Sequence, residues 1–135
     1  MKNLRELTDA EAQIMNHLWQ LQKGSAREVM EAYGKNKPSI NTVSTLIRIL
    51  EQKGFVGHKP AGRSFTYFPK ITREAYLQFV LSSTLKQWFD NSATSMISFM
   101  KSNGMLLADE AKSVRKMLKK EKKEHKEKAD KASKK

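Results

Sequence analysis

Asn41, Thr42, Ser44, Thr45 and Arg48 place amide, hydroxyl and guanidinium groups on successive turns of a segment predicted to be helical. Such groups read base edges: Asn41 could bond adenine N6 and N7, and Arg48 could bond guanine or a phosphate. Thr42 and Thr45 could set methyls against thymine or hydroxyls on phosphate. Further along, His58, Lys59 and Arg63 fall near the tip of a predicted hairpin, where cations suit phosphates or a narrow minor groove. A solvated helix face and solvated cations at a turn are the plain alternatives. No glycine-rich phosphate loop or paired-carboxylate motif accompanies these residues, Ser25 and Ser39 read as helix caps, and no catalytic site is expected. With no cysteine and only the scattered His17, His58 and His125, no metal site or cofactor is expected either.

The elements that must hold these residues follow from caps and periodicity. Thr8-Asp9-Ala10-Glu11 is a capping-box pattern opening a first helix, with Ala12, Met15, Leu18, Trp19 and Gln22 as its apolar-side spacing and Lys23-Gly24 as its end. Ser25-Ala26-Arg27-Glu28 repeats the pattern for a short second helix carrying Val29, Met30 and Tyr33, stopped by Gly34. Ser39 caps a third helix over 39–53. Its Val43, Leu46, Ile47 and Leu50 form one stripe, and Asn41, Thr45, Arg48 and Gln52 lie opposite. Residues 55–59 and 63–68 read as strands around a Pro60-Ala61-Gly62 turn, closed by Pro69. Three helices and a hairpin make the outline of a winged helix-turn-helix, a mainly α fold with a small β wing, over residues 1–70.

Residues 71–118 change character. Tyr76, Leu77, Phe79, Val80, Leu81, Leu85, Trp88 and Phe89 crowd a helix predicted over 72–90, and Met96, Ile97, Phe99 and Met100 follow over 95–101. Ala111, Val114, Met117 and Leu118 mark a further amphipathic helix over 108–118. Helices this apolar, beside a module already complete, need a partner, and a second copy is the simplest one. Leu85, Trp88, Phe89, Met96, Ile97, Phe99 and Val114 are the expected dimer contacts. Trp19, Tyr67, Trp88 and Phe89 lie on apolar faces, so packing is favoured over base stacking. Residues 119–135 have no apolar side chain larger than alanine and are expected to form a disordered basic tail.

The net charge of +12 is unevenly placed. Residues 1–70 hold eleven Lys and Arg against six Asp and Glu, residues 71–111 three against four, and residues 112–135 twelve against four. The first segment is therefore basic without help from the tail, as a surface that meets phosphates should be. No apolar run is long enough to cross a membrane and the first residues lack a secretory pattern, so a cytoplasmic location without membrane insertion is expected.

The order and spacing of Leu7-Thr8-Asp9-Ala10-Glu11, Trp19, Ser25-Ala26-Arg27-Glu28-Val29, Asn41-Thr42-Val43-Ser44-Thr45-Leu46-Ile47, Leu50, Lys53-Gly54-Phe55 and Tyr67 resemble the penicillinase, methicillin-resistance and copper-transport repressor family of bacterial winged-helix regulators, as far as about Lys119. The resemblance implies a homodimer with interlocked C-terminal helices, two recognition helices on a palindromic duplex operator, and repression by promoter occlusion. It also implies inactivation by a membrane sensor protease that cuts the dimerisation region, here near Ser98-Phe99, where several relatives have Asn before the Phe. The copper-responsive branch relies on a cysteine cluster that this chain lacks. Relatives commonly carry a basic residue at the position of Ser44 and Arg at that of Ile49, which leaves Arg48 as the only cation within the helix. The same fold also serves protein-interaction and nonspecific nucleic-acid-binding modules, the second reading.

Overall fold

In the computed structural model, residues 4–133 are described, with side chains through Glu124 except at position 122. The order is α1 (Asp9–Leu21), α2 (Ala26–Ala32), a 3-10 turn (Gly34–Asn36), α3 (Ile40–Gln52), β1 (Val56–Ala61), β2 (Ser64–Pro69), α4 (Arg73–Trp88), α5 (Ala93–Ser102) and α6 (Ala108–Ser133). The chain divides into one compact unit through Ser83 and a second from Thr84.

Local chemistry sets the helix ends. Thr8 Oγ1 accepts from the Glu11 N–H (3.2 Å) while the Glu11 carboxylate accepts from the Thr8 N–H (2.9 Å), and Ser25 and Glu28 repeat the exchange for α2. Ser39 caps α3 by accepting from the Thr42 N–H (3.2 Å). Ile14, Met15, Leu18, Val29, Met30, Val43, Ile47, Leu50, Phe55 and Val56 form the core between α1, α2, α3 and the start of the hairpin. The buried stripe of α1 is Glu11, Ile14, Met15 and Leu18; Met15 and Leu18 are as expected, Ala12 and Trp19 are half-buried and Gln22 is exposed, while the stripe gains Ile14 and a carboxylate. On α3 the expected stripe holds, with Val43, Ile47 and Leu50 fully buried and Leu46 half-buried.

The wing is a two-stranded antiparallel sheet in which His58 faces Tyr67 and Lys59 faces Thr66. Its turn is Gly62-Arg63, not Pro60-Ala61-Gly62. Gly62 has φ +63°, the conformation a tight two-residue hairpin demands at its first turn position. Pro60 then falls within β1, opposite Phe65, at a pair that exchanges no ladder bonds in such a hairpin, so its missing N–H costs nothing. Gly57 is required by contact: a Cβ there would lie 2.7 Å from the Phe68 ring. The α1–α2 loop adds a bridge to the sheet, with Gly24 and Tyr67 exchanging both backbone hydrogen bonds (2.9 and 2.8 Å).

The first unit reaches past the expected boundary at residue 70 because two long-range bonds hold the next turns to it. Trp19 Nε1 donates to the Ile71 carbonyl (2.9 Å), and the Tyr76 hydroxyl accepts from the Leu7 N–H (2.8 Å). Tyr76 also packs edge-on to Phe55, with ring centroids 5.8 Å apart.

In the second unit α5 begins two residues earlier than expected, capped by Ser92, whose hydroxyl accepts from the Ser95 N–H (3.1 Å). The largest difference is α6, which continues through Ser133 where composition predicts a disordered tail. Lysine, glutamate and alanine fill positions 119–132 except for His125 and Asp130, and all three are strong helix formers even with nothing to bury. Residues 134 and 135 of the expected tail lie outside the described residues, as do residues 1–3 of the expected first domain.

Candidate nucleic-acid interface

Because Val43, Ile47 and Leu50 anchor α3 in the core, helical geometry turns the opposite face outward. Asn41, Thr45, Arg48 and Gln52 stand exposed along it at i, i+4, i+7 and i+11. Arg48 has no acidic partner among the described residues. The two other α3 residues in the expected set are placed differently. Ser44 is half-buried on the flank, and the exposed Thr42 shares its hydroxyl with the cap, Oγ1 to Ser39 Oγ being 3.0 Å. Gln52, in the polar stripe but outside the expected contacts, completes the open face. An open hollow of about 420 Å³ at its end is lined by Arg5, Ile49, Gln52 and Lys53. Arg5 precedes every motif, so only the folded chain reveals that it adds a cation here.

A buried ion pair fixes this end of α3. Lys53 Nζ lies 2.7 Å from Glu11 Oε2, and the Glu11 side chain is only 3% exposed. Burial pushes the Glu11 carboxyl up, but the hydrogen bond and charge of Lys53, together with Thr8, hold it below the usual carboxylate range. The capping carboxylate of α1 thus also ties the C-terminal end of the reading helix to the start of α1.

On the wing the three expected contact residues part company. His58 Nδ1 is hydrogen-bonded to Glu51 Oε2 of α3, and its ring packs edge-on to Phe65 at 4.9 Å. His58 is therefore a strut between wing and helix. Lys59 is exposed, with Nζ 5.9 Å from the Phe68 ring centroid, and Arg63 projects from the turn. Neither has an ion-pair partner among the described residues. Arg48, Lys59 and Arg63 are thus available to phosphates or base edges.

In the second unit Trp88 and Phe99 are 71% and 51% exposed, while Leu85, Phe89, Met96, Ile97 and Val114 are half-buried. Phe89 and Phe99 meet edge-on at 5.8 Å. Trp88, expected to pack on an apolar face, is exposed within one chain. Ser98-Phe99 lies inside α5. Among the described residues no helix is long and apolar enough to cross a membrane and no cluster of metal-ligating side chains occurs.

A family model described as penicillinase repressor matches residues 7–120. The chain is 27% identical over 119 residues to the penicillinase repressor of Bacillus licheniformis, covering 87% of this chain and 93% of that protein. It is 26% identical over 117 residues to the methicillin resistance regulatory protein MecI of Staphylococcus aureus strain N315, covering 85% and 94%. The solution structure of the DNA-binding domain of the repressor BlaI aligns with 31% identity and a TM-score of 0.49, over 56% of this chain and 94% of that one.

Proposed function

The chain belongs to the penicillinase repressor family of DNA-binding transcriptional regulators, which are not enzymes, and from that premise we propose that it acts as a homodimer that occludes a promoter by reading a palindromic operator. The open α3 face, with Arg48 as its one unpaired cation, carries the reading. Asn41, Thr45 and Arg48 meet base edges in the major groove, Gln52 and Arg5 extend the contact, and Lys59 and Arg63 of the wing meet phosphates or the adjacent minor groove. Ser44, Thr42 and His58 support this surface more than they touch DNA. Trp88, Phe89, Met96, Ile97, Phe99, Leu85 and Val114 supply the dimer contact, so that two reading helices address two half-sites. Such a role places the protein with the chromosome, in the cytoplasm.

A contrast between two substitutions tests it. Arg48→Ala should cost about 1–3 kcal/mol at the operator and relax discrimination, while Lys59→Ala should weaken all duplexes about equally. The operator would be sought as a palindrome in the DNA beside the gene. Equal losses on operator and random duplex for both variants would remove the sequence-reading claim.

Inactivation by a membrane sensor protease near Ser98-Phe99 is the switch proposed. Because that bond is helical, α5 must open locally before a protease can hold it extended. Mass spectrometry of the repressor after induction should find the two fragments, and an intact chain in derepressed cells would point to another switch.

A further inference from the structure

The C-terminal helix carries a second basic surface that the reading helix and wing do not use. Lys112, Arg115, Lys116, Lys119 and Lys123 fall at i, i+3, i+4, i+7 and i+11 of α6, which places all five on one face over about 17 Å. All are exposed, and none has an ion-pair partner among the described residues. Val114, Met117 and Leu118 lie on the other face, and Glu121 continues that line at i+7 from Val114. The helix thus separates a short apolar strip from a cationic one. The family model ends at residue 120, so the helix runs on beyond the part shared with the family.

We propose that this cationic stripe of α6 is a second contact for the phosphate backbone of duplex DNA, outside the bases addressed by α3. A row of fixed cations about one turn apart, without an interleaved carboxylate, matches a linear polyanion better than the mixed charges of a folded partner's surface. An anionic lipid surface is a poorer match. Helices that lie in a membrane interface bury a broad apolar face with Trp, Phe or Leu, whereas the apolar strip here is about one turn long and has no aromatic residue. The second contact rests on the DNA-binding reading of α3. Pairing through the apolar strip would leave the opposite stripe open, and delivery of the chain to DNA by α3 raises its effective concentration at flanking phosphates.

The test is the salt dependence of binding by the full chain and by a variant with Lys112, Arg115, Lys116, Lys119 and Lys123 all changed to Gln, which keeps helix propensity and removes charge. On a duplex with long flanks, the slope of log K against log salt should shrink by about 0.9 for each phosphate no longer neutralised, and a fall of about 2 or more is expected. Circular dichroism and sedimentation should match the native chain. An unchanged slope overturns the proposal. So does a variant that no longer binds phosphatidylserine vesicles while its DNA slope stays native. Arg48→Ala separates the two claims: it should relax operator preference while the slope contributed by the stripe persists, and a native chain without operator preference would sink the repressor reading and leave the stripe measurable on random DNA.

Discussion

Ile14, Leu18, Ile47 and Leu50 of the first unit have no exposed surface, whereas Trp88, Phe99, Met117 and Leu118 of the second keep more than half of theirs. Neither α4 nor α5 buries a single side chain fully. A core closed within one chain supplies its own stability at any protein concentration. An apolar face left open does so only when something covers it, and its stability then depends on mass action. On the proposed function, the first unit would hold the reading surface rigidly and the second would couple two such surfaces.

The most disruptive way to sharpen this contrast is Ile47→Ala. It removes a fully buried side chain behind Arg48 and should cost about 2–5 kcal/mol, seen as an equal drop in the denaturant midpoint at low and high protein concentration. Trp88→Ala should behave oppositely. We expect at least about a tenfold rise in the dimer dissociation constant, or 1.4 kcal/mol, by sedimentation equilibrium, with little change in unfolding of the first unit. A concentration-independent loss for Trp88→Ala would break the comparison.

A third variant probes what closes the first unit. Glu11→Gln should cost about 1–3 kcal/mol at neutral pH, because Lys53 is deprived of its charged acceptor. Since the folded state lowers the Glu11 pKa, its contribution is fully present above the ordinary carboxylate range, near about pH 4, and is lost as pH falls through the lowered value. The native-minus-variant difference in thermal midpoint should therefore shrink on acidification. A difference constant with pH would show that the pair does not carry the effect.

What sequence makes legible, and what it hides, follows the same division between local and distant contacts. Thr8 with Glu11 and Ser25 with Glu28 are three residues apart, and Val43, Ile47 and Leu50 share one helix, so periodicity and capping chemistry suffice to find them. Lys53 meets Glu11 across 42 positions and Tyr76 meets Leu7 across 69, and no periodicity reports such pairs. Local patterns therefore end the first unit near residue 70, short of its true extent. The candidate site divides likewise. The α3 face is readable as Asn41, Thr45 and Arg48, but the capture of His58 by Glu51 joins a strand to a helix end, and Arg5 joins the surface only through the fold. For residues 119–133 the missing apolar side chains argue for disorder, while their helix propensity points the other way.

The smallest effect expected is the most specific to presentation of the reading face. The Ser39 hydroxyl accepts from the otherwise unpaired Thr42 N–H at the start of α3 and also bonds the Thr42 hydroxyl. Ser39→Ala should cost about 1 kcal/mol of global stability, the usual loss for an N-cap. Asn41 stands in the first turn that this cap closes, whereas Arg48 lies two turns further on, beside the buried Ile47. Fraying should therefore weaken operator contacts made by Asn41 while leaving those of Arg48 intact. In a double-mutant cycle on operator DNA, Ser39→Ala should couple to Asn41→Ala and add independently to Arg48→Ala. Equal coupling to both would mean that the cap acts on the whole helix, and that the core behind Ile47 holds α3 less firmly than its complete burial indicates.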